Sequence, residues 1–224
     1  MLRGVRWTDI PVHVIDFEGS RASGVVEFGV VTLHGGQIVA ANTRTCRPRS
    51  RLTPDDTRVH GLTEHELARA EPFEAEWTRF AALRASGVLA AHFSGTENAL
   101  LRATWPCPRL SPDFLHPGRE VAEWGPWIDT GRMAAERKIG AASAALGELV
   151  VAFGLEERLR AASERWCPQA RCRFHCALYD ALASALLLQR LACDVDGPWS
   201  LARTLAASTA DRERRDASAQ GELF

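Results

Sequence analysis

Apolar and polar positions along the chain predict a strand-first order of elements. Residues 12–15, Val-His-Val-Ile, form an apolar run that reads as a buried strand and leads into Asp16-Phe17-Glu18. Val25 to Leu33 is a second, valine-rich run, and the His34-Gly35-Gly36 turn joins it to a third at about Gln37 to Cys46. Helical patterns follow. Thr63 to Ala70 opens as a Thr-x-x-Glu capping box ending at Glu66, and Pro72 to Ala85 opens with proline in its first turn. Gly87 to Phe93 reads as a fourth strand, Glu97 to Thr104 as a short helix, and Ile128-Asp129-Thr130 as a brief strand or its end. Ala141 to Phe153 and Cys176 to Leu191 carry helical periodicity, and Trp199 to Ala207 is a shorter apolar stretch expected to pack back on the domain.

Residues 105–127 break this rhythm with Pro106, Pro108, Pro112, Pro117 and Pro126 among Trp105, Trp124 and Trp127, so an irregular insertion or flap is expected there. Its tryptophans read as loop anchors rather than stacking platforms. A meander of strands followed by alternating strands and helices predicts a mixed sheet flanked by helices, one domain over residues 1–208, with the first strand central. Side chains alternate faces along a strand, so Asp16 and Glu18 share one face near the sheet centre. Residues 209–224 read as a flexible tail.

Composition adds limits. A chain of 224 residues with 46% hydrophobic and 25% charged residues has ample material for one core. No run reaches the roughly 18–20 apolar residues of a membrane span. The charged N-terminus, with Arg3, Arg6 and Asp9, lacks an apolar signal core, so a cytoplasmic chain with six reduced cysteines is expected. The formal net charge of -1 provides no overall basic field for nucleic acid, although a local positive rim suffices for binding. Basic charge is nearly all arginine, with Lys138 the lone lysine; the planar guanidinium fork suits phosphate.

The candidate chemistry lies in three separated segments: Asp16 and Glu18; His92 and Glu97; His175 and Asp180. Hard divalent cations take oxygen ligands, and carboxylates from several elements can share a pair of them. A histidine beside such a pair is a natural general base. The third segment places Asp180 on a helix that must cross the sheet, with His175 at or just before its first turn.

In order and spacing these segments resemble the DEDDh 3'-5' exonucleases, a family that includes the proofreading epsilon subunit of bacterial DNA polymerase III, ribonuclease T and oligoribonuclease. The resemblance covers about residues 12–192: Asp16-Phe17-Glu18 matches the first motif, and His175, four residues and Asp180 match the third. His60-Gly61-Leu62-Thr63 resembles the family's His-Gly-Ile-Thr, and Ile128-Asp129-Thr130 its Asp-Thr. The second motif departs. Ala91-His92-Phe93-Ser94-Gly95-Thr96-Glu97 stands where the family usually has Ala-His-Asn-Ala, two residues and Asp, so Phe93 replaces asparagine and Glu97 is one methylene longer than aspartate. Gly19-Ser20-Arg21 follows Glu18 where threonines and a glycine are common.

The resemblance implies an RNase H-like α/β fold with a mixed five-stranded sheet, a three-stranded antiparallel meander plus two further strands. It implies hydrolysis from the 3' end of nucleic acid with release of nucleoside 5'-monophosphates; single-stranded DNA in a repair or proofreading setting is favoured by the C-terminal tail, residues 220–224. Two Mg²⁺ ions are implied, with Mn²⁺ a substitute: Asp16, Glu18 and Asp180 would hold one, and Asp16 with Glu97 the other. His175 would be the base, and Phe17, Gly19, Ser20 and His60 would contact substrate.

Other readings stand beside it. One is an RNA-trimming enzyme on the same site, and another is a degenerate nuclease that binds nucleic acid or protein, motivated by Glu97 and Phe93. A zinc protein is a third, because Cys167, Cys172 and Cys176 crowd beside His175, but no matching second half is present. His92 suits a structural role, while His13 and His34 have no visible partner in sequence. The terminal Gln220-Gly221-Glu222-Leu223-Phe224 resembles the bacterial sliding-clamp-binding peptide, in which Gln220, Leu223 and Phe224 would make the contacts.

Overall fold

The computed structural model describes residues 4–116, 118–137 and 144–209. Gln220, Leu223 and Phe224 of the clamp-like peptide, Lys138, and the first residues of the helix expected over 141–153 lie outside the described residues.

Strands β1 (Val12–Ser20), β2 (Gly24–His34) and β3 (Gln37–Thr45) form the antiparallel meander. Helices α1 (Pro54–His60) and α2 (Glu64–Leu67) follow, then a 3-10 turn at Phe73–Glu76 that runs into α3 (Trp77–Ser86). Strand β4 (Val88–Ala91) leads to α4 (Gly95–Thr104), a small hairpin of β5 (Ser111–Pro112) and β6 (Glu120–Val121), β7 (Trp127–Asp129) and α5 (Thr130–Glu136). Then come α6 (Leu146–Ala152), α7 (Glu156–Trp166), α8 (Ala177–Leu191), a hairpin of β8 (Cys193–Asp194) and β9 (Gly197–Pro198), and α9 (Leu201–Ala207). The five-stranded sheet has the order β3-β2-β1-β4-β7, with β4 parallel to β1 and β7 parallel to β4. This is the expected mixed α/β sheet with β1 at its centre.

Alternation along β1 divides the core. Val12 and Val14 join the cluster formed with α8, α6 and α7, whereas Ile15 and Phe17 join Phe28, Phe73, Phe80, Leu100 and Trp124 on the opposite face. Helix α8 is buried on nearly every side, between β1 and β2 beneath and α6 and α7 above. Its first turn crosses β2 at Gly29, where a Cβ would stand 2.2 Å from the Ala177 carbonyl oxygen. Only glycine lets the helix that carries Asp180 lie this close to the sheet.

Residues 105–127 are anchored to the domain. The buried Arg84 guanidinium donates to the carbonyl oxygens of Glu123 (2.9 Å), Pro112 (3.0 Å) and Gly125 (2.7 Å). Trp124 is 2% exposed and its indole N–H donates to the Trp105 carbonyl at 2.9 Å, while the Trp127 indole donates to Asn98 Oδ1 at 3.2 Å. Three helices escape the hydrophobic pattern. Helix α1 is announced only by its Thr53–Asp56 capping box with Pro54, α5 only by Asp129 as its cap, and α7 buries little besides Leu159 and Ser163. The expected 141–153 helix spans Leu146–Ala152 among the described residues.

Gly29→Ala should destabilise the fold by about 1–3 kcal/mol through overpacking against α8, read as a lower urea midpoint. Gly95→Ala, where a Cβ meets nothing within 4 Å, is the control. Equal midpoints for both variants would mean that α8 does not rest on Gly29.

Candidate active site

The site begins at the end of β1. Asp16 and Glu18 point to the α8 face, and Phe17 between them points the other way. Phe17 is 6% exposed and packs on Phe73 and Phe80, with ring centroids at 5.3 Å and 5.6 Å. Strand alternation thus sends the Phe17 ring, expected at the substrate, into the core. Just after Glu18 the pairing of β1 with β2 shifts register, and Gly19 takes φ 122 at a point where a Cβ would stand 2.2 Å from the Gly24 carbonyl oxygen. The bulge ends regular pairing beside the acid. Gly19, Ser20 and Arg21 then face Gly95, Thr96, Ala99 and Leu100 of α4 across a pocket of about 230 Å³.

Helix α4 supplies Glu97 from its first turn, 5% exposed despite its extra methylene. Helix α8 supplies Asp180, whose Oδ2 accepts from the His175 backbone N–H at 2.9 Å. His175 sits two residues before α8 with φ 61, its ring exposed. A ring nitrogen of His175 and a carboxylate oxygen from each of Glu18 and Asp180 lie within 4.8 Å of one another.

Burial and mutual repulsion set the charge state of these acids. Burial first, then Asp180, Glu97, Glu18 and Glu27, hold the Asp16 pKa well above the carboxylate range. Burial, then Asp180 and Glu27, raise Glu18 to about 8 against the opposing pull of Arg171 and Arg173. Glu97 is pushed to about 8 by burial and then by Asp129 and Glu18, and Asp180 to about 7 by burial, with the His175 N–H opposing. Asp16 Oδ2, Glu97 Oε2 and Asp180 Oδ1 are buried without a hydrogen-bond partner. Unpartnered carboxylate oxygens converging from three elements suit hard divalent cations, which supply the missing positive charge.

One further buried acid escaped the sequence reading. Glu27 lies across from Glu18 in the β1–β2 register and is 2% exposed. Unlike Glu18 it is fully engaged: Arg171 grips both its oxygens, and the Ala177 N–H that opens α8 donates to Oε2 at 3.0 Å. Arg171 also donates to the His60 carbonyl at 2.7 Å, tying α1 to the segment that presents His175. Only the apolar context of β2 around Glu27 could have drawn attention to it.

The remaining candidates fall into place. His60, expected at the substrate, is 1% exposed, with Nδ1 accepting from the Leu62 N–H at 3.1 Å and Nε2 buried without a partner. His92 is structural, bonded to Thr130 Oγ1 at 2.9 Å and the Ala144 carbonyl at 2.8 Å. His13, without a visible partner in sequence, is buried between Thr32 Oγ1 and Ser86 Oγ, each at 3.0 Å. Among the described residues the metal-competent grouping is Glu18, His175 and Asp180, not Cys167, Cys172 and Cys176. No helix among the described residues is long and apolar enough to cross a membrane.

The five-stranded mixed sheet and its flanking helices are similar to the fold of solved exonuclease structures. Exonuclease X in complex with 5' overhanging duplex DNA superposes with a TM-score of 0.56 at 21% identity, covering 80% of this chain and 90% of that one. The nuclease domain of 3'hExo, a DEDDh family member bound to rAMP, gives a TM-score of 0.56 at 18% identity over 84% of this chain and 94% of its own. At the sequence level, a bifunctional exonuclease/endonuclease protein of Mycobacterium tuberculosis is 27% identical over 114 residues, 43% of this chain. The chain spans 18% of the length of that relative. No family model matches the chain.

Two predictions follow from the charges. A carboxyl with a pKa higher in the folded than the unfolded state keeps its proton longer when folded. Its stabilisation is complete below about pH 4 and is lost as pH rises through the folded values near 7 and 8. His13, lowered to about 4 by burial, works in the opposite sense, but only below its ordinary value of 6.5. Chelator-treated protein should therefore melt at a lower temperature at about pH 8.5 than at about pH 6.5, and millimolar Mg²⁺ should recover the difference. A melting temperature indifferent to Mg²⁺ at the higher pH would contradict the assigned cation site. Separately, Glu27→Gln should cost about 2–4 kcal/mol in urea unfolding by stranding Arg171, with part regained in the Glu27→Gln/Arg171→Met double variant. Additive losses would show the two side chains to be energetically independent.

Proposed function

We propose that this protein is a metal-dependent 3'-5' exonuclease that hydrolyses phosphodiester bonds from the 3' end of nucleic acid and releases nucleoside 5'-monophosphates. The observation that carries the reading is the set of unpartnered, buried oxygens on Asp16, Glu97 and Asp180, with Asp16 repelled by both other acids and with Glu18 and Asp180 grouped beside His175. Asp16, Glu18 and Asp180 would hold one divalent cation, Mg²⁺ or Mn²⁺, and Asp16 with Glu97 the other. Two such cations, when bound, lower the pKa of the attacking water and stabilise charge on the attacking and leaving oxygens. His175, exposed beside Glu18 and Asp180, takes the proton from the water. The Asp180–His175 backbone bond fixes where that ring stands.

The departure at Glu97 is compatible with this chemistry. Its carboxylate is buried and repels both Asp16 and Glu18, so the longer side chain enters the acid cluster rather than solvent. Preference for DNA in a repair setting rests on the Gln-x-x-Leu-Phe sequence of residues 220–224 alone.

Digestion of 5'-labelled single-stranded DNA and RNA oligomers with Mg²⁺ or Mn²⁺ tests the proposal and reads the sugar preference. The expected result is a ladder shortening from the 3' end, abolished by Asp16→Ala. His175→Ala should slow it about 10²- to 10⁴-fold while Mg²⁺ still raises the melting temperature. Intact oligomers under every condition would leave the protein as a binding module on an exonuclease fold.

A further inference from the structure

The turn between β4 and α4 displays an aromatic side chain that stability does not account for. Phe93 has φ 58 and leaves 46% of its surface exposed. The left-handed conformation is rare for a bulky residue and costs on the order of 1 kcal/mol or more, and a half-exposed ring recovers little through burial. Asparagine or glycine would adopt this conformation with less strain.

The surroundings nevertheless hold the backbone of this turn and border the ring. Its backbone N–H donates to Asp129 Oδ1 at 3.2 Å, and the Ser94 N–H and hydroxyl each donate to Asp129 Oδ2 at 3.0 Å. One side of the ring abuts Gly131, where an added Cβ would come within 2.6 Å of the ring carbons. The His92 ring, itself bonded at both nitrogens, lies 4.6 Å from it at 61°. The helix carrying Glu97 begins from this same turn, with the Asn98 N–H bonded to the Ser94 carbonyl at 3.0 Å. A half-exposed aromatic, packed on one side against Gly131, thus sits on the turn that leads directly into the helix bearing Glu97.

We propose that Phe93 stacks on a nucleobase of the strand whose 3' end occupies the acid cluster, holding the substrate independently of its base sequence. The proposal rests on the exonuclease reading for its substrate class. A purine or pyrimidine face is the flat, polarisable partner for such a ring, and one base–aromatic stack changes affinity by about five- to a hundredfold.

The test compares wild type with Phe93→Asn, which keeps the left-handed backbone, and Phe93→Trp, which keeps an aromatic face. Each is assayed on oligo-dT and on the p-nitrophenyl ester of thymidine 5'-monophosphate, which offers a single base. Phe93→Asn should lose at least about fivefold more kcat/KM on the oligomer than on the ester, mainly through KM, and Phe93→Trp should restore the oligomer. Equal losses on both substrates would assign the ring to placing Glu97 and overturn the stacking role, as would an unchanged oligomer. Fluorescence anisotropy of labelled oligo-dT with Ca²⁺ in place of Mg²⁺ separates this result from the activity. Wild type that binds but does not cleave would overturn the exonuclease reading, and the loss of affinity in Phe93→Asn would still decide the stack. Wild type that neither cleaves nor binds would overturn both.

Discussion

Carboxyl groups gathered out of water repel one another, and every element around the site is arranged to hold Asp16, Glu18, Glu97 and Asp180 together against that repulsion. The acids come from three elements that the core fixes independently: β1 by pairing on both sides, α4 by Leu100 and Leu101, and α8 by burial on nearly every side. Gly29 removes the side chain that would have lifted α8, and Asp180 with it, off the sheet. Burial first, and mutual repulsion second, raise the pKa values of these acids. Positive charge brought to these oxygens would offset that repulsion.

Glu18 and Glu27 show how the same residue type on neighbouring strands acquires opposite roles. They are partners in the β1–β2 register and both are almost fully buried. Glu27 has a guanidinium and a helix N-terminal N–H directed at its oxygens and functions as a structural joint. Glu18 faces Asp180 and His175 instead. Burial alone therefore does not mark a functional acid. The difference lies in whether the protein supplies donors to the carboxylate or leaves it for something brought from outside.

This distinction explains what the sequence discloses. The central strand and the meander are legible because alternation reports which face a side chain takes, whereas Asp16, Glu18, Glu97 and Asp180 are picked out together by the order and spacing of their segments. Phe17 lies beside two acids in sequence, and in a strand that means the opposite face. Helix α7 was not legible, since its buried side is little more than Leu159 and Ser163, too narrow a stripe for periodicity to register. Nor was the Glu27–Arg171 pair, whose members are 144 residues apart and meet only once α8 is laid across β2.

Asp129 joins these lines of argument. It is 1% exposed, and it accepts from Phe93, Ser94 and Arg132. It caps α5 while tying down the turn that launches α4. The two departures from the family's second motif, Phe93 and Glu97, both issue from that turn. Because Asp129 holds the backbone of the turn through main-chain N–H groups, the side chain at position 93 is free to vary without loosening the helix that presents the acid. Gly131 supplies the space that the larger ring requires. A change from a small polar residue to an exposed aromatic is thereby separated from the placement of Glu97, so the surface offered to a ligand can change while the acid cluster stays assembled.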